Sequence, residues 1–176
     1  MNKSLAKIQL VIAKENNVEL NERLAEIDYL VFDDLDLAVE LKADGLIITD
    51  LNNDISEIRK VYPNLWIGAS ASSIADCKNW ELKGVDFIQF KLHKSDDQPS
   101  GILGSEHLRN MIPKKMEYGW MIMSLNTPVF ILGVYNLVDL EQLYSDIAFY
   151  GVDITTLFEP DLSLTERITA IENLLI

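Results

Sequence analysis

Short β-branched apolar runs alternate with amphipathic stretches along most of this chain. Residues 29–32, 46–49, 65–68, 85–90, 129–132 and 153–158 read as strands. The segments 36–41, 55–61, 73–82, 139–149 and 165–175 place apolar residues at helical spacing and read as helices. Turn residues punctuate the series: Ala43, Asp44 and Gly45 form a turn, Pro63 and Asn64 stop one helix, and Gly84 closes another. Ser73 is placed to cap the helix that follows it. Residues 106–124 are helical in parts, with Pro113 as an interruption, and the polar stretch 95–101 reads as a loop or lid. Residues 7–13 admit two readings. They form a first strand followed by a helix over 18–27, or they form a helix themselves; their β-branched density favours the strand.

Strands about 20 residues apart with helices between them predict parallel βαβ units. Their apolar character on both faces suits a sheet covered by helices. The count is six or seven strands, short of the eight of a (β/α)₈ barrel. Without repeats, low-complexity tracts or a linker, residues 1–176 read as one domain.

Charge narrows the function. Fifteen Lys and Arg against 28 Asp and Glu give a net −13. A surface this acidic repels nucleic acid and anionic lipid, so neither is expected as a partner. No run of apolar residues reaches the length of a membrane span. Lys14, Glu15 and Asn16 stand where a leader's small-residue cleavage site would be needed. The single cysteine, Cys77, has no partner in the chain, which fits a cytoplasmic protein.

Several motifs carry a resemblance. The stretch DDLDLAVELKADG at 33–45 resembles the third-strand segment N-D-x-x-D-L-A-L-x-x-G-A-D-G of thiamine phosphate synthases and the related thiazole tautomerases. IGASASS at 67–73 is similar to that family's I-G-x-S-x-H-S, and GVDF at 84–87 to its G-A-D-Y. PVFILGVYN at 128–136 resembles P-V-V-A-I-G-G-I-N, and GVDI at 151–154 the G-A-D-G before the last strand. The resemblance implies a TIM-type barrel, complete or incomplete here. It also implies chemistry joining a pyrimidine pyrophosphate to a thiazole phosphate with magnesium assistance.

Carried over residue by residue, the resemblance places the metal carboxylate of strand three on Asp33. The second metal position falls on Asn52, flanked by Asp50 and Asp54. Mg²⁺, where the protein is active, would draw on Asp33, Asp50 and Asp54. Local physics offers another use, since Asp33, Asp34 and Asp36 can cap the next helix and complement its dipole. Ser70 matches the serine on the pyrimidine side, although a turn or cap hydroxyl is the alternative. Ser72 stands where tautomerases carry histidine, and a serine cannot replace that base near neutral pH. Lys91 and Lys94 are the candidates for the lysine after the fifth strand.

The phosphate cradle falls on Gly133 and Val134, where the valine's bulk hinders close backbone approach. After the last strand, Glu159 and Pro160 substitute repulsion and a missing N–H for donation. The family's Q-x-R-x-K motif is not found. His93 and His107 match no zinc spacing, Cys77 reads as a packing cysteine, and Trp66, Trp80 and Trp120 read as core or interface.

These residues predict a divergent synthase-like protein that joins or binds phosphorylated precursors, with turnover weak or lost. The alternative is a non-catalytic binding or regulatory subunit derived from the barrel. Strand edges left by an incomplete barrel predict self-association into a homo-oligomer.

Overall fold

The computed structural model describes residues 4–12, 27–91, 112–132, 136–155 and 161–175. Seven parallel strands close into a barrel in chain order. They are β1 (Ile8–Ile12), β2 (Ile27–Phe32), β3 (Gly45–Ile48), β4 (Trp66–Ala71), β5 (Phe87–Lys91), β6 (Val129–Leu132) and β7 (Gly151–Asp153). Helices α1 (Leu35–Glu40), α2 (Ile55–Val61), α3 (Ile74–Lys83), α4 (Ile112–Ser124), α5 (Leu137–Asp146) and α6 (Leu164–Leu174) wrap the outside.

Residues 7–13 therefore contribute a strand, and it is the strand that closes the ring. Ile8 and Gln9 pair with Val152 and Asp153 of β7, while all five residues of β1 pair with β2. Seven strands suffice, so the barrel is not incomplete, and the open edges behind the expected self-association do not exist. Ile27 begins β2 rather than ending a helix, and residues 18–26 lie outside the described part of the chain. The last strand starts earlier than its apolar run suggests, at Gly151, because Gly151 lies against the backbone of Lys7. A Cβ there would stand 2.1 Å from the Lys7 carbonyl oxygen.

Alternation along the strands divides the core in two. Val31, Ile48, Ile67, Ile88, Phe90 and Ile131 face the helices. Leu30, Ile47, Phe87 and Phe130 fill the barrel, with the two rings edge to face at 5.6 Å. Gly68 makes room for that layer, since a Cβ there would meet the Phe87 ring at 2.1 Å.

Caps fix the helix ends. Ser73 accepts from the Asp76 amide at the start of α3, and Gly84 ends it in the left-handed conformation at φ 77°. Asn136 caps α5, which starts and stops earlier than the expected 139–149. Pro113 sits in the first turn of α4, where its missing N–H costs nothing, so it does not interrupt the helix. Among the described residues no helix is long and apolar enough to cross a membrane.

Candidate functional site

In a β/α barrel the strands' C-terminal ends carry the site, and the sequence candidates can be followed there one by one. Asp33 is the first residue beyond β2. Its backbone turns left-handed at φ 49°, a conformation aspartate tolerates better than most side chains. Its amide donates to the Ile47 carbonyl at 2.8 Å. Its carboxylate accepts from the Thr49 amide at 2.9 Å and from the Thr49 hydroxyl. Asp33 thus buckles the end of β2 to the segment after β3. Of the three neighbouring acids it is Asp34 that caps α1, accepting from the Leu37 amide, while Asp36 lies in the helix's first turn.

Asp54 caps α2. It accepts from the Ser56 amide at 2.9 Å, the Ser56 hydroxyl at 2.6 Å and the Glu57 amide at 3.2 Å. The Ser56 hydroxyl and the Glu57 amide hold its carboxyl below the usual value. Asp33 and Asp54 line one cavity of about 290 Å³ together with Asn53 and Glu57. Leu46 and Ile48, which face the helices, form its floor, so it opens between α1 and α2 rather than over the barrel's interior. Asp50 does not line it. That carboxylate accepts from the amide and the side chain of Asn52, both at 2.8 Å.

These residues do not fit a magnesium centre. Mg²⁺ needs near-octahedral oxygen ligands with carboxylates free to turn toward it. Here each acid is engaged locally, and Asp50 stands apart from the other two. Among the described residues no three acidic, histidine or cysteine side chains come close enough to hold a metal ion.

Ser70 and Lys91 are brought to the barrel mouth. Ser70 is in register with Gln89 on β5, and Lys91 ends that strand two residues later, so all three share the inward-facing alternation. Lys91 is exposed and Ser70 half-buried. The Ser70 carbonyl accepts from the Trp80 indole at 3.1 Å, which fixes the end of β4 on α3. Ser72 is exposed, with its amide 3.4 Å from the Asp76 carboxylate.

Beneath the mouth lies a cluster that the sequence reading did not single out. Gln89 Nε2 donates to Gln9 Oε1 at 3.0 Å and to Asp153 Oδ2 at 2.7 Å. β6 separates β5 from β7, and both β6 and β7 separate it from β1, so these bonds cross the interior. All three side chains are buried to within 1 %. Asp153 Oδ1 accepts from the Thr155 amide, and the Thr155 hydroxyl accepts from the Val11 amide. Burial raises the Asp153 carboxyl, opposed by its hydrogen bonds to Thr155 and Gln89. Gln9 Nε2 has no hydrogen-bond partner among the described residues. A signal was present: Gln9 and Asp153 are each the one polar residue of an apolar strand, and Gln89 is flanked by Ile88 and Phe90.

Lys94, Gly133, Val134, Glu159, Pro160, His93 and His107 lie outside the described residues. Cys77 is buried in α3, and burial pushes its thiol up to about 12, in keeping with a packing role. Trp80 is core, Trp66 half-buried and Trp120 exposed.

A closed parallel β/α barrel with polar side chains gathered at the strands' C-terminal ends defines the class. The chain belongs to the thiamine monophosphate synthase family, whose sequence model matches residues 6–149. It is 28 % identical over 110 residues to a thiamine-phosphate synthase of Lactococcus lactis, a match covering 56 % of this chain and 51 % of the relative. It is 38 % identical over 72 residues to a thiamine-phosphate synthase of Methanococcus maripaludis, covering 40 % and 35 %. The chain thus spans about half the length, or less, of these curated relatives. Among solved structures, a thiamine phosphate pyrophosphorylase from Pyrococcus furiosus superposes with a TM-score of 0.64 at 19 % identity, over 97 % of both chains. A phosphoribosylanthranilate isomerase from Thermotoga maritima gives 0.54 at 8 % identity, over 97 % of this chain and 98 % of the other. At these identities the two structures speak for the fold alone.

Proposed function

We propose that this chain serves thiamine biosynthesis in the cytoplasm. In this reading it binds a small phosphorylated precursor at the barrel mouth and turns it over by the synthase reaction slowly or not at all. Family membership supports the pathway, and the buried, unpaired Cys77 suits a reducing compartment. The weak-turnover half rests on one observation. Asp33 is closed on Thr49, Asp54 caps α2, and Asp50 stands outside their shared cavity, so the acids of the resemblance are spent on local structure.

Lys91 supplies a positive charge at the mouth for a phosphate, and Ser70 a hydroxyl beside it. The residues that the resemblance assigns to the phosphate cradle support the same reading, because Val134 is bulkier than the family's glycine and Glu159 is an acid. Losing one preorganised donor typically slows such a step about 10²–10³-fold.

The test is a synthase assay with both phosphorylated precursors and Mg²⁺, run beside calorimetric titration with thiamine phosphate. Binding heat without product is expected. Product formed at a rate on the order of 10 s⁻¹, the median for enzymes, refutes weak turnover. Absence of any binding refutes the ligand class.

A further inference from the structure

The barrel mouth is chemically two-sided. Ser70 and Lys91 make its β4 and β5 side polar, whereas Val11 and Phe32 make its β1 and β2 side apolar. Phe32 ends β2. It is in register with Ile47 of the interior layer and alternates with Val31, which faces the helices, so its ring belongs to the interior side. Val11, half-buried, packs on that same layer from β1.

Exposure sets Phe32 apart. Phe87 and Phe130, which fill the barrel, are fully buried, whereas Phe32 is 45 % exposed. Among the described phenylalanines it alone is exposed. Its strand end is nevertheless fixed, because the next residue, Asp33, is closed on Thr49. The apolar area that Phe32 leaves in water is area that a bound planar group can cover.

Placement around the ring narrows what that group is. β5 lies three strands from β2, as far apart as two strands of seven can be, so Lys91 stands across the mouth from Phe32. A ligand that meets both carries a flat apolar face at one end and an anion at the other. Gln9 Nε2 adds a third condition. It is buried in the interior with no acceptor among the described residues, so a ring bearing an acceptor atom suits the site better than a plain hydrocarbon ring.

We propose that Phe32 selects the ligand's ring, stacking on the planar heteroaromatic group of the precursor whose phosphate Lys91 attracts. The inference rests on the reading of the mouth as a site for a phosphorylated precursor. Lys91 then sets the charge of the ligand and Phe32 its flatness.

Thiamine phosphate is the probe, titrated by calorimetry and followed by proton NMR. Its ring protons should move upfield on binding, as protons over a phenyl face do. Phe32→Leu keeps an apolar side chain without a ring, so that shift should vanish. Phe32→Ala should weaken binding about tenfold, the scale of one ring stacked on an aromatic side chain. Phe32→Tyr should keep both the shift and the affinity. Circular dichroism verifies that the variants stay folded. No binding to the unmodified protein overturns the phosphate site and the role of Phe32 together. Binding as tight in Phe32→Ala as in the parent, or ring shifts that persist in Phe32→Leu, overturns the role of Phe32 and leaves the site standing.

Discussion

Gln89 on β5 reaches Asp153 on β7 at 2.7 Å, although β6 lies between their strands. The bond spans the barrel and holds a carboxylate where water does not reach. Burial raises the Asp153 carboxyl above its ordinary value of 3.8, so the folded chain holds that proton more tightly than the unfolded chain. Stability tied to Asp153 is therefore fully present below that ordinary value. It is lost as pH rises through the raised one. Asp153→Asn removes this titration. The stability of the variant relative to the parent should improve steadily with pH across that window and then level off, read by urea denaturation at a series of pH values. A difference that is flat with pH, or slopes the other way, contradicts the assignment.

Asp33 joins two effects that substitution can separate. Asp33→Ala loses the bonds to Thr49 and puts alanine in a left-handed backbone, so a loss of about 1–2 kcal/mol is expected. Asp33→Gly loses the same bonds but suits φ 49°, and should recover about 0.4–1 kcal/mol of it. Equilibrium denaturation of both variants measures the split. If the glycine variant is the less stable of the two, the backbone does not contribute as described.

Gly68 and Gly151 both leave no room for a Cβ, but against different neighbours. At Gly68 the obstacle is the Phe87 ring, which can shift only at the expense of the Phe130 layer, at a cost of about 1–3 kcal/mol. At Gly151 the obstacle is the Lys7 backbone, and the Val152 amide donates to that same carbonyl at 2.9 Å. Gly151→Ala should therefore lose more stability than Gly68→Ala, with faster amide exchange in β1 and β7 before the rest of the barrel loosens. Equal exchange around all seven strands argues against this.

The sequence was most legible where local signals agreed. α2 and β6 match their expected bounds, and Ser73 caps α3 as its position suggests. Legibility failed where distant contacts decide. β7 begins at Gly151 because of Lys7, roughly 140 residues away along the chain, and no local pattern carries that information. Closure with seven strands is likewise a property of the ring rather than of any segment. Among site residues, Ser70 and Lys91 were legible as strand-end positions. Asp33, Asp50 and Asp54 were legible as acids, but the sequence alone does not say that they close on Thr49, Asn52 and Ser56. Gln9, Gln89 and Asp153 were hidden because each looks like a local interruption of an oily strand, and only the fold brings them together.

The seam between β1 and β7 gives the chain a calendar. Of the seven strands β1 is made first and β7 last, and the Val11 amide waits for a Thr155 hydroxyl 144 positions later. During synthesis β1 can lean only on β2, with one flank bare, while Gln89 lacks the carboxylate to which it donates beside Gln9. Long-range closures of this kind are slow. The interval before β7 arrives is therefore when a nascent chain is most exposed to chaperones, to proteases and to the wrong neighbour.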